Sequence, residues 1–419
     1  MISNIYPPVA IGGYEIGCAA VARHLAHHHE VLVLTSGHDR DLPTARSETT
    51  ESSDASEQVE IRRELPLLTS DARGALRAPL ASLRAVSMAR RALAWEPDLI
   101  YIWNGASIPQ ATLRILADSP VPLAFRVEEH WFSSIFVTDQ FLRELLPVRR
   151  GPARAVWAWG CRALNRLPAL RLDPTAPLRT AVSWNSEATK RIATPPPFVE
   201  TVLERVRHPA PPYGDVYAGI ERDPAPEPQI VFLGRVSPYK GLAVALEALS
   251  LLRSEHGVFA NLMVVGPEDG EHGVEMRSLA EHLGIAQAVS WNGQATPAEA
   301  AATLAHANAL IVPSTWDEPF GLVMIEGALA RVPLVASNVG GIGEGMHDEE
   351  HALLFPRGDA AAAAAALART LRETEQTTAR VQRAYERSQS FRLEPYLEEQ
   401  ERFVLDALSA LRAADDSRP

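Results

Sequence analysis

Val312-Pro-Ser-Thr-Trp-Asp-Glu-Pro-Phe-Gly-Leu-Val-Met-Ile-Glu-Gly-Ala-Leu-Ala330 begins at the end of an apolar run, Ala309 to Val312, that reads as a buried strand. A turn punctuated by Pro313 and Pro319 follows. From Gly321 the apolar residues Leu322, Ile325 and Leu329 fall on one face of a helix. A strand therefore feeds a turn that opens a helix, with a glycine at the helix start. Helix N-termini carry unpaired backbone N–H groups and a partial positive charge, which suits phosphate. Glu318 stands just before this N-terminus, and Glu326 about a turn and a half into the helix.

Two acids so placed fit a sugar nucleotide. The diphosphate rests on the N–H groups of Phe320, Gly321 and Leu322, Glu318 reaches a sugar hydroxyl, and Glu326 grips the ribose hydroxyls. The competing reading is a solvated acid pair beside an ordinary turn, since exposed acids are common.

Upstream, Ile230 to Leu233 reads as a strand, followed by Gly234-Arg235-Val-Ser-Pro-Tyr-Lys240-Gly241 and a helix from Leu242 to Leu252. Arg235 and Lys240 on this glycine-bounded loop suit a diphosphate, or else are solvated loop cations. Strands are expected at 261–266 and 289–293, and helices at 275–283 and 297–305. Downstream, a strand at 334–336 runs into Asn338-Val-Gly340-Gly341-Ile-Gly343-Glu344, a loop expected to close over the donor. The stretches 352–355 and 360–371 complete a doubly wound sheet. An amphipathic helix from Pro395 to Leu411 ends the chain, with Phe403, Leu408 and Leu411 for packing.

The amino-terminal half has the same rhythm. A short strand at Ile2–Tyr6 precedes a loop with Gly12-Gly13-Tyr14-Glu15, then a helix at 16–25 and a Val/Leu strand at 31–34. This is the start of a doubly wound sheet. The glycine pair allows close backbone approach to a ligand, or serves a turn needing positive φ. His27-His28-His29 reads as a helix end more readily than as a metal tract. Arg46–Gln58 has the composition of a mobile surface loop. A further strand lies at 59–64 and a helix at 76–95. Strands at 98–104 and 122–127 deliver Asn104, then Glu128, Glu129 and His130, to their carboxyl ends, where open α/β sheets bind ligands. Asn104, Glu129 and His130 are therefore acceptor-side candidates, with His130 equally readable as a structural histidine.

Residues 141–179 are rich in Arg and carry Trp157 and Trp159. The segment suits weak contact with an anionic membrane surface, and equally the solvated face of helices. Ala181–Trp184 reads as a strand. Ser186 starts a helix, but Thr189 stands where a capping box needs Glu. Prolines cluster between Pro195 and Pro228, which is linker chemistry with little regular structure. The domain boundary is placed near Asp223.

The 419 residues suggest two or three domains. Hydrophobic residues at 46% and charged residues at 22% are ordinary for a globular chain, and the net charge of −12 argues against generic nucleic-acid binding. Cys18 and Cys161 form neither a disulfide framework nor a zinc site, which suits a cytoplasmic protein. The start has no secretory pattern, and no apolar run spans a bilayer.

Taken together, Gly12-Gly13-Tyr14-Glu15, Ser186-Glu187-Ala188-Thr189-Lys190, Gly234-Arg235 with Lys240-Gly241, Glu318-Pro319-Phe320-Gly321-Leu322 through Glu326, Gly340-Gly341 and Gly358-Asp359 resemble the retaining glycosyltransferases of family 4. The resemblance runs in order along nearly the whole chain. It implies the GT-B architecture, α/β, with two facing Rossmann-like doubly wound domains. Residues 1–222 would bind the acceptor, 223–390 the nucleoside-diphosphate sugar, and 391–419 would form a helix crossing back to the first domain. It implies that Arg235 and Lys240 hold the diphosphate, with Gly234 at the same loop. Glu318 would meet the donor sugar, Glu326 the ribose, and Phe320 to Leu322 the phosphates. Gly13 would present backbone to the donor phosphates, Gly12 would stand on the acceptor side, and His130 would stand near the reacting sugar. No Asp-x-Asp motif is seen, so no metal and no other cofactor is expected. Tyr217-Ala-Gly219-Ile-Glu221 stands where relatives often carry Asn-Gly-Val-Asp, and Glu128-Glu129-His130-Trp131 suggests an unusual acceptor. The alternatives are a nucleotide-sugar epimerase of the same architecture or a non-catalytic sugar-nucleotide-binding subunit. Donor base, donor sugar, acceptor and oligomeric state are not readable from these residues.

Overall fold

Runs of Val, Leu and Ile make strands buried on both faces, and such strands assemble into parallel sheets. The computed structural model describes residues 1–8, 12–37, 48–49, 59–67, 72–134, 177–268 and 270–416, and contains one eight-stranded and one six-stranded sheet. The segments containing Arg46, Cys161 and the tryptophans Trp157 and Trp159 lie outside the described residues, as does 141–176, most of the basic stretch. The chain divides into two units. The first comprises 1–185, 189–207 and 397–419, and the second 186–188 and 208–396.

The first unit contains β1 (Ile2–Ser3), α1 (Gly13–Ala26), β2 (Val31–Thr35), β3 (Glu48–Thr49), β4 (Val59–Arg63), α2 (Ala72–Leu93), β5 (Ile100–Asn104), α3 (Gln110–Ala117), β6 (Leu123–Val127), β7 (Leu178–Trp184), most of α4 (Glu187–Ile192) and β8 (Val199–Val206). The strands lie in the order β3-β4-β2-β1-β5-β6-β7-β8, parallel except for the short β3 against β4. Trp103, Phe125, Phe132 and Trp184 fill its core. Arg126 is fully buried in the middle of β6. Its Nε meets Glu128 Oε1 at 2.5 Å, and its Nη1 donates to Ser183 Oγ and to the carbonyls of Trp184 and Arg207. A charge taken this far from water must be met by an opposite charge and by acceptors, and it is.

In the second unit come α5 (Gly214–Ala218), β9 (Gln229–Leu233), α6 (Leu242–Ser254), β10 (Asn261–Val265), α7 (Gly270–His282), β11 (Val289–Gly293), α8 (Pro297–His306), β12 (Ala309–Val312), α9 (Leu322–Leu329), β13 (Leu334–Ser337), α10 (Ile342–Gly345), β14 (Leu353–Phe355), α11 (Ala360–Arg372) and α12 (Thr374–Ser388). The sheet order is β11-β10-β9-β12-β13-β14, all parallel. α9 lies close on β12 and β13. A Cβ at Gly327 would stand 2.4 Å from Leu310 Cδ2 and 2.8 Å from Leu334 Cδ2. The last helix, α13 (Leu393–Asp416), belongs to the first unit from Leu397 on. There Gln400 accepts from the Tyr101 hydroxyl at 2.8 Å, Phe403 packs on the Tyr101 ring, and Glu401 meets His24 and His29.

Several expectations shift. The proline-rich stretch 195–228 contains β8 and α5, because its prolines stand outside both elements. The passage into the second unit comes between Arg207 and His208, upstream of Asp223. The cause is the packing of the residues after His208. Tyr217 is buried in the second unit's core, and Arg222 donates to the carbonyls of Leu304, Ala305 and Ala307. α3 and α12 were not anticipated, and α1 begins at Gly13 rather than Ile16. The histidine run closes α1, with His27 N–H and His29 N–H bonded back to His24 and Leu25 carbonyls. Cys18 is free and buried. Among the described residues no helix is long and apolar enough to cross a membrane.

Candidate functional site

The loop after β9 and the loop after β12 are zipped together. Thr315 N–H donates to the Tyr239 carbonyl at 2.9 Å and its hydroxyl to the Pro238 carbonyl at 2.9 Å. Gly241, at φ +70°, lies so close to β12's end that a Cβ there would stand 1.9 Å from the Pro313 oxygen. Only glycine permits both the conformation and the approach. This crossing brings Lys240 to Glu318, with Nζ 2.6 Å from Oε1. Arg235 follows Gly234 on the same loop, half-buried.

Glu318 is 4% exposed. Its Oε1 also accepts from Ser314 Oγ at 2.6 Å, and its backbone carbonyl accepts from Gly341 N–H at 2.7 Å. The Gly340–Gly341 pair, expected to close over a ligand, is pressed instead onto residues 317–320. Cβ atoms there would lie 2.1 Å from the Glu318 oxygen and 2.3 Å from the Pro319 oxygen. The pair is a buttress behind the acid. α9 starts at Gly321, at φ +85°, and no side chain caps it. α6 likewise starts uncapped, at Gly241. By contrast Thr296 caps α8 and Asp359 caps α11. Two helix ends beside Lys240 thus keep amide groups for an anion.

Glu326 is half-buried on α9, and burial pushes its carboxyl up to about 7. Among the described residues its carboxylate has no hydrogen-bond partner. Buried Tyr217, the departure noted from the sequence, lies near enough to feel its charge, though burial is the larger cause of that phenol's raised pKa. Phe320 is buried, so its contribution to a ligand is limited to its backbone. Its ring stacks on His208 at 4.8 Å and meets Phe391 edge-on at 5.3 Å. Leu322 is half-buried in the first turn of α9. Glu344 ends the glycine-rich stretch, and nothing near it in the sequence announces its partners. It accepts from His208 Nε2 at 3.1 Å and from the N–H groups of Glu187 at 2.8 Å and Ala188 at 2.7 Å. It thereby caps the first two N–H groups of α4 from a distant loop. Burial alone would raise its carboxyl, but these bonds outweigh it and hold the carboxyl below the usual carboxylate range.

In the first unit, Gly12 caps α1 in extended conformation, its N–H donating to Glu15 Oε2 at 3.0 Å. Gly12 and Gly13 are not in the left-handed region, and a Cβ at Gly12 would meet nothing nearer than 3.7 Å. The turn reading of the pair therefore falls, and a methyl at Gly12 would sit in ordinary contact with Glu15 and Tyr14. Asn104 ends β5 fully buried. Its Oδ1 accepts from Ala106 N–H at 2.8 Å, while its Nδ2 has no partner among the described residues. A buried amide donor left unsatisfied is costly, and such groups are few in native folds. Glu129 and His130 are half-buried at the end of β6, as expected. Tyr14 and Trp131, read in the sequence only as parts of longer motifs, lie close by. Tyr14 donates to Asn4 Oδ1 at 3.2 Å and feels the charge of Glu129, beyond the larger effect of its burial. Trp131 packs over Gly105, where a Cβ would stand 2.6 Å from the ring.

His347, Glu350 and His351 form the cluster among the described residues whose ligand atoms lie within 4.8 Å of one another, as a metal site requires. However, His351 Nδ1 accepts the His347 N–H at 3.1 Å. The hydrogen of the neutral ring is then on Nε2, facing Glu350, so the group reads as a hydrogen-bonded turn.

Comparison with known proteins gives a family and a fold for this chain's relatives. Residues 218–387 match the family model described as Glycosyl transferases group 1. A glycogen synthase of Mycobacterium tuberculosis is 26% identical over 92% of this chain and 89% of that protein. A D-inositol 3-phosphate glycosyltransferase of Acidothermus cellulolyticus is 33% identical over 43% of this chain and 40% of that protein. Among solved structures, sucrose-phosphate synthase from Thermosynechococcus elongatus superposes with a TM-score of 0.71 at 21% identity, covering 98% of both chains. Anabaena HepE in complex with UDP and glucose gives 0.65 at 19% identity, over 97% of this chain and 98% of that one. The fold is GT-B.

Proposed function

We propose that the chain is a retaining glycosyltransferase of family 4. It would transfer a sugar from a nucleoside-diphosphate sugar to a hydroxyl of a small-molecule or lipid-linked acceptor, with no metal or other cofactor. The observation that carries this reading is the joining of Lys240 and Glu318 beside two uncapped helix starts, inside the stretch that matches the family.

Breaking the bond between sugar and diphosphate leaves negative charge on the departing nucleotide, and stabilising that charge is the largest demand on the protein. Arg235, Lys240 and the amides of Phe320 to Leu322 meet it. A charge-assisted contact contributes about 1.5–3 kcal/mol, so two cations and a helix end lower the barrier substantially. Glu318 then holds the donor sugar and Glu326 the ribose. Gly234 gives the cation loop its shape, and Gly12 lies on the acceptor side. His130, Asn104 and Glu129 serve the acceptor side. The departing phosphate takes the acceptor's proton, so no residue is needed as a strong base and the anomeric configuration is kept.

The relative named glycogen synthase and the neighbour in complex with UDP and glucose support starting with glucosyl donors. The test is calorimetry against nucleoside diphosphates and their sugars, then product analysis with the donor that binds. Retention is read from the anomeric proton of the product, and metal independence from transfer in EDTA. A rearranged nucleotide sugar formed without acceptor would replace this reading with an epimerase. Liposome sedimentation tests membrane contact through 141–179.

A further inference from the structure

We propose that Ser314 is a positioning residue for Glu318, fixing which carboxylate oxygen is left for the donor sugar. The inference rests on the donor reading above and goes beyond it to a residue to which that reading gives no role.

Ser314 and Ser337 are both fully buried. Ser314 Oγ and Lys240 Nζ each stand 2.6 Å from the same oxygen, Glu318 Oε1. Among the described residues nothing bonds Oε2. A glutamate's terminal torsion is broad and nearly two-fold, so its two oxygens exchange easily unless something distinguishes them. Lys240 cannot do so alone. It is half-buried, on a long flexible stem, and can follow either oxygen. Ser314 has a single short rotor just past β12, beside Thr315, whose N–H is bonded to the Tyr239 carbonyl at 2.9 Å. A hydroxyl donating to a carboxylate from a fixed point is a short, strong bond. It turns Oε1 inward and leaves Oε2 for a sugar hydroxyl. Without it, Glu318 swings with Lys240, and the sugar loses its fixed acceptor while the diphosphate keeps its cations and amides. Ser337 is the internal control. It is equally buried, but its hydroxyl bonds backbone carbonyls, those of Ser314 and Val312, and no carboxylate.

The experiment is calorimetry on the full chain, as wild type, Ser314→Ala and Ser337→Ala, with melting temperatures measured alongside. The probes are UDP with UDP-glucose, ADP with ADP-glucose and GDP with GDP-mannose. For the pair that the wild type binds, Ser314→Ala is expected to keep its affinity for the bare diphosphate. The ratio of sugar-nucleotide to diphosphate affinity should drop about tenfold, the scale of one hydrogen bond to a charged group. Ser337→Ala should melt earlier with that ratio unchanged. A preserved ratio in Ser314→Ala overturns the inference alone. So does an equal loss in both variants, which would mean general loosening. A wild type that binds none of the pairs removes the donor reading itself, and this inference with it.

Discussion

Lys240 and Glu318 neutralise each other before any ligand arrives. Replacing Lys240 with Ala removes one charge-assisted contact to the diphosphate and leaves Glu318 with Ser314 as its remaining side-chain partner. Transfer should fall by about ten- to a hundredfold for a contact of 1.5–3 kcal/mol, with circular dichroism unchanged; near-normal rates would remove its role. Glu326 makes a sharper prediction. Its carboxyl is raised to about 7 by burial, so the folded chain disfavours its charge. Between the ordinary carboxylate range and pH 7 the unfolded chain holds fewer protons at this site than the folded one. Stability from this group therefore falls as pH rises through that window and stays low above it. Glu326→Gln should melt higher than wild type at pH 8 and equally at pH 4, while binding nucleoside diphosphate more weakly at pH 8. Equal melting at both values would contradict the burial argument. These acids were legible in the sequence because they lie within one strand–turn–helix, where spacing sets geometry. Ser314 as Glu318's partner and Glu344 as α4's cap were not, since only the folded loops bring those atoms together.

At the scale of elements, the glycine loop before α10 acts by where its backbone lies. Gly340 is at φ +54° and a Cβ would stand 2.1 Å from the Glu318 oxygen. Gly340→Ala should therefore cost about 1–3 kcal/mol of stability, the usual scale of local backbone strain, and reduce transfer by displacing Glu318. Gly343, three residues on and inside α10, has ordinary φ and room for a methyl, with Asn338 Oδ1 at 3.5 Å. Gly343→Ala should be neutral or slightly stabilising. If both alanines behave alike in a melt and in transfer, the loop is not a buttress. Glu344→Gln tests the distant cap. It should cost about 0.5–2 kcal/mol, as lost helix caps do, and the wild type's advantage should vanish as pH falls through the lowered carboxyl pKa of Glu344. The strands of the second sheet were readable from apolar runs bounded by Gly and Pro. β8 and α5 were not, because proline density marks loops without saying how much structure lies between them.

At the scale of the molecule, each unit has a core of its own. Trp103's unit is filled by Ile102, Phe125, Phe132 and Trp184, and the second by the residues around Leu246, Ile311, Met324 and Phe355. That the chain has two doubly wound halves follows from its repeated strand–helix rhythm. That its last helix serves the first half does not, because Phe403, Leu408 and Leu411 only announce an apolar face; the family resemblance alone implies it. The distinction can be measured. Phe403 is 3% exposed against Tyr101, and replacing a buried Phe with Ala costs about 3–5 kcal/mol. The proposed nucleotide site lies wholly on second-unit residues, from Arg235 to Glu326. Ligand that binds one folded unit stabilises that unit by mass action. Scanning calorimetry of the full chain should therefore resolve two transitions. Phe403→Ala should lower one of them, and nucleoside diphosphate should raise the other in wild type and variant alike. A variant in which ligand rescues the transition lowered by Phe403→Ala would show that the last helix stabilises the nucleotide-binding unit, contrary to its placement among residues of the first.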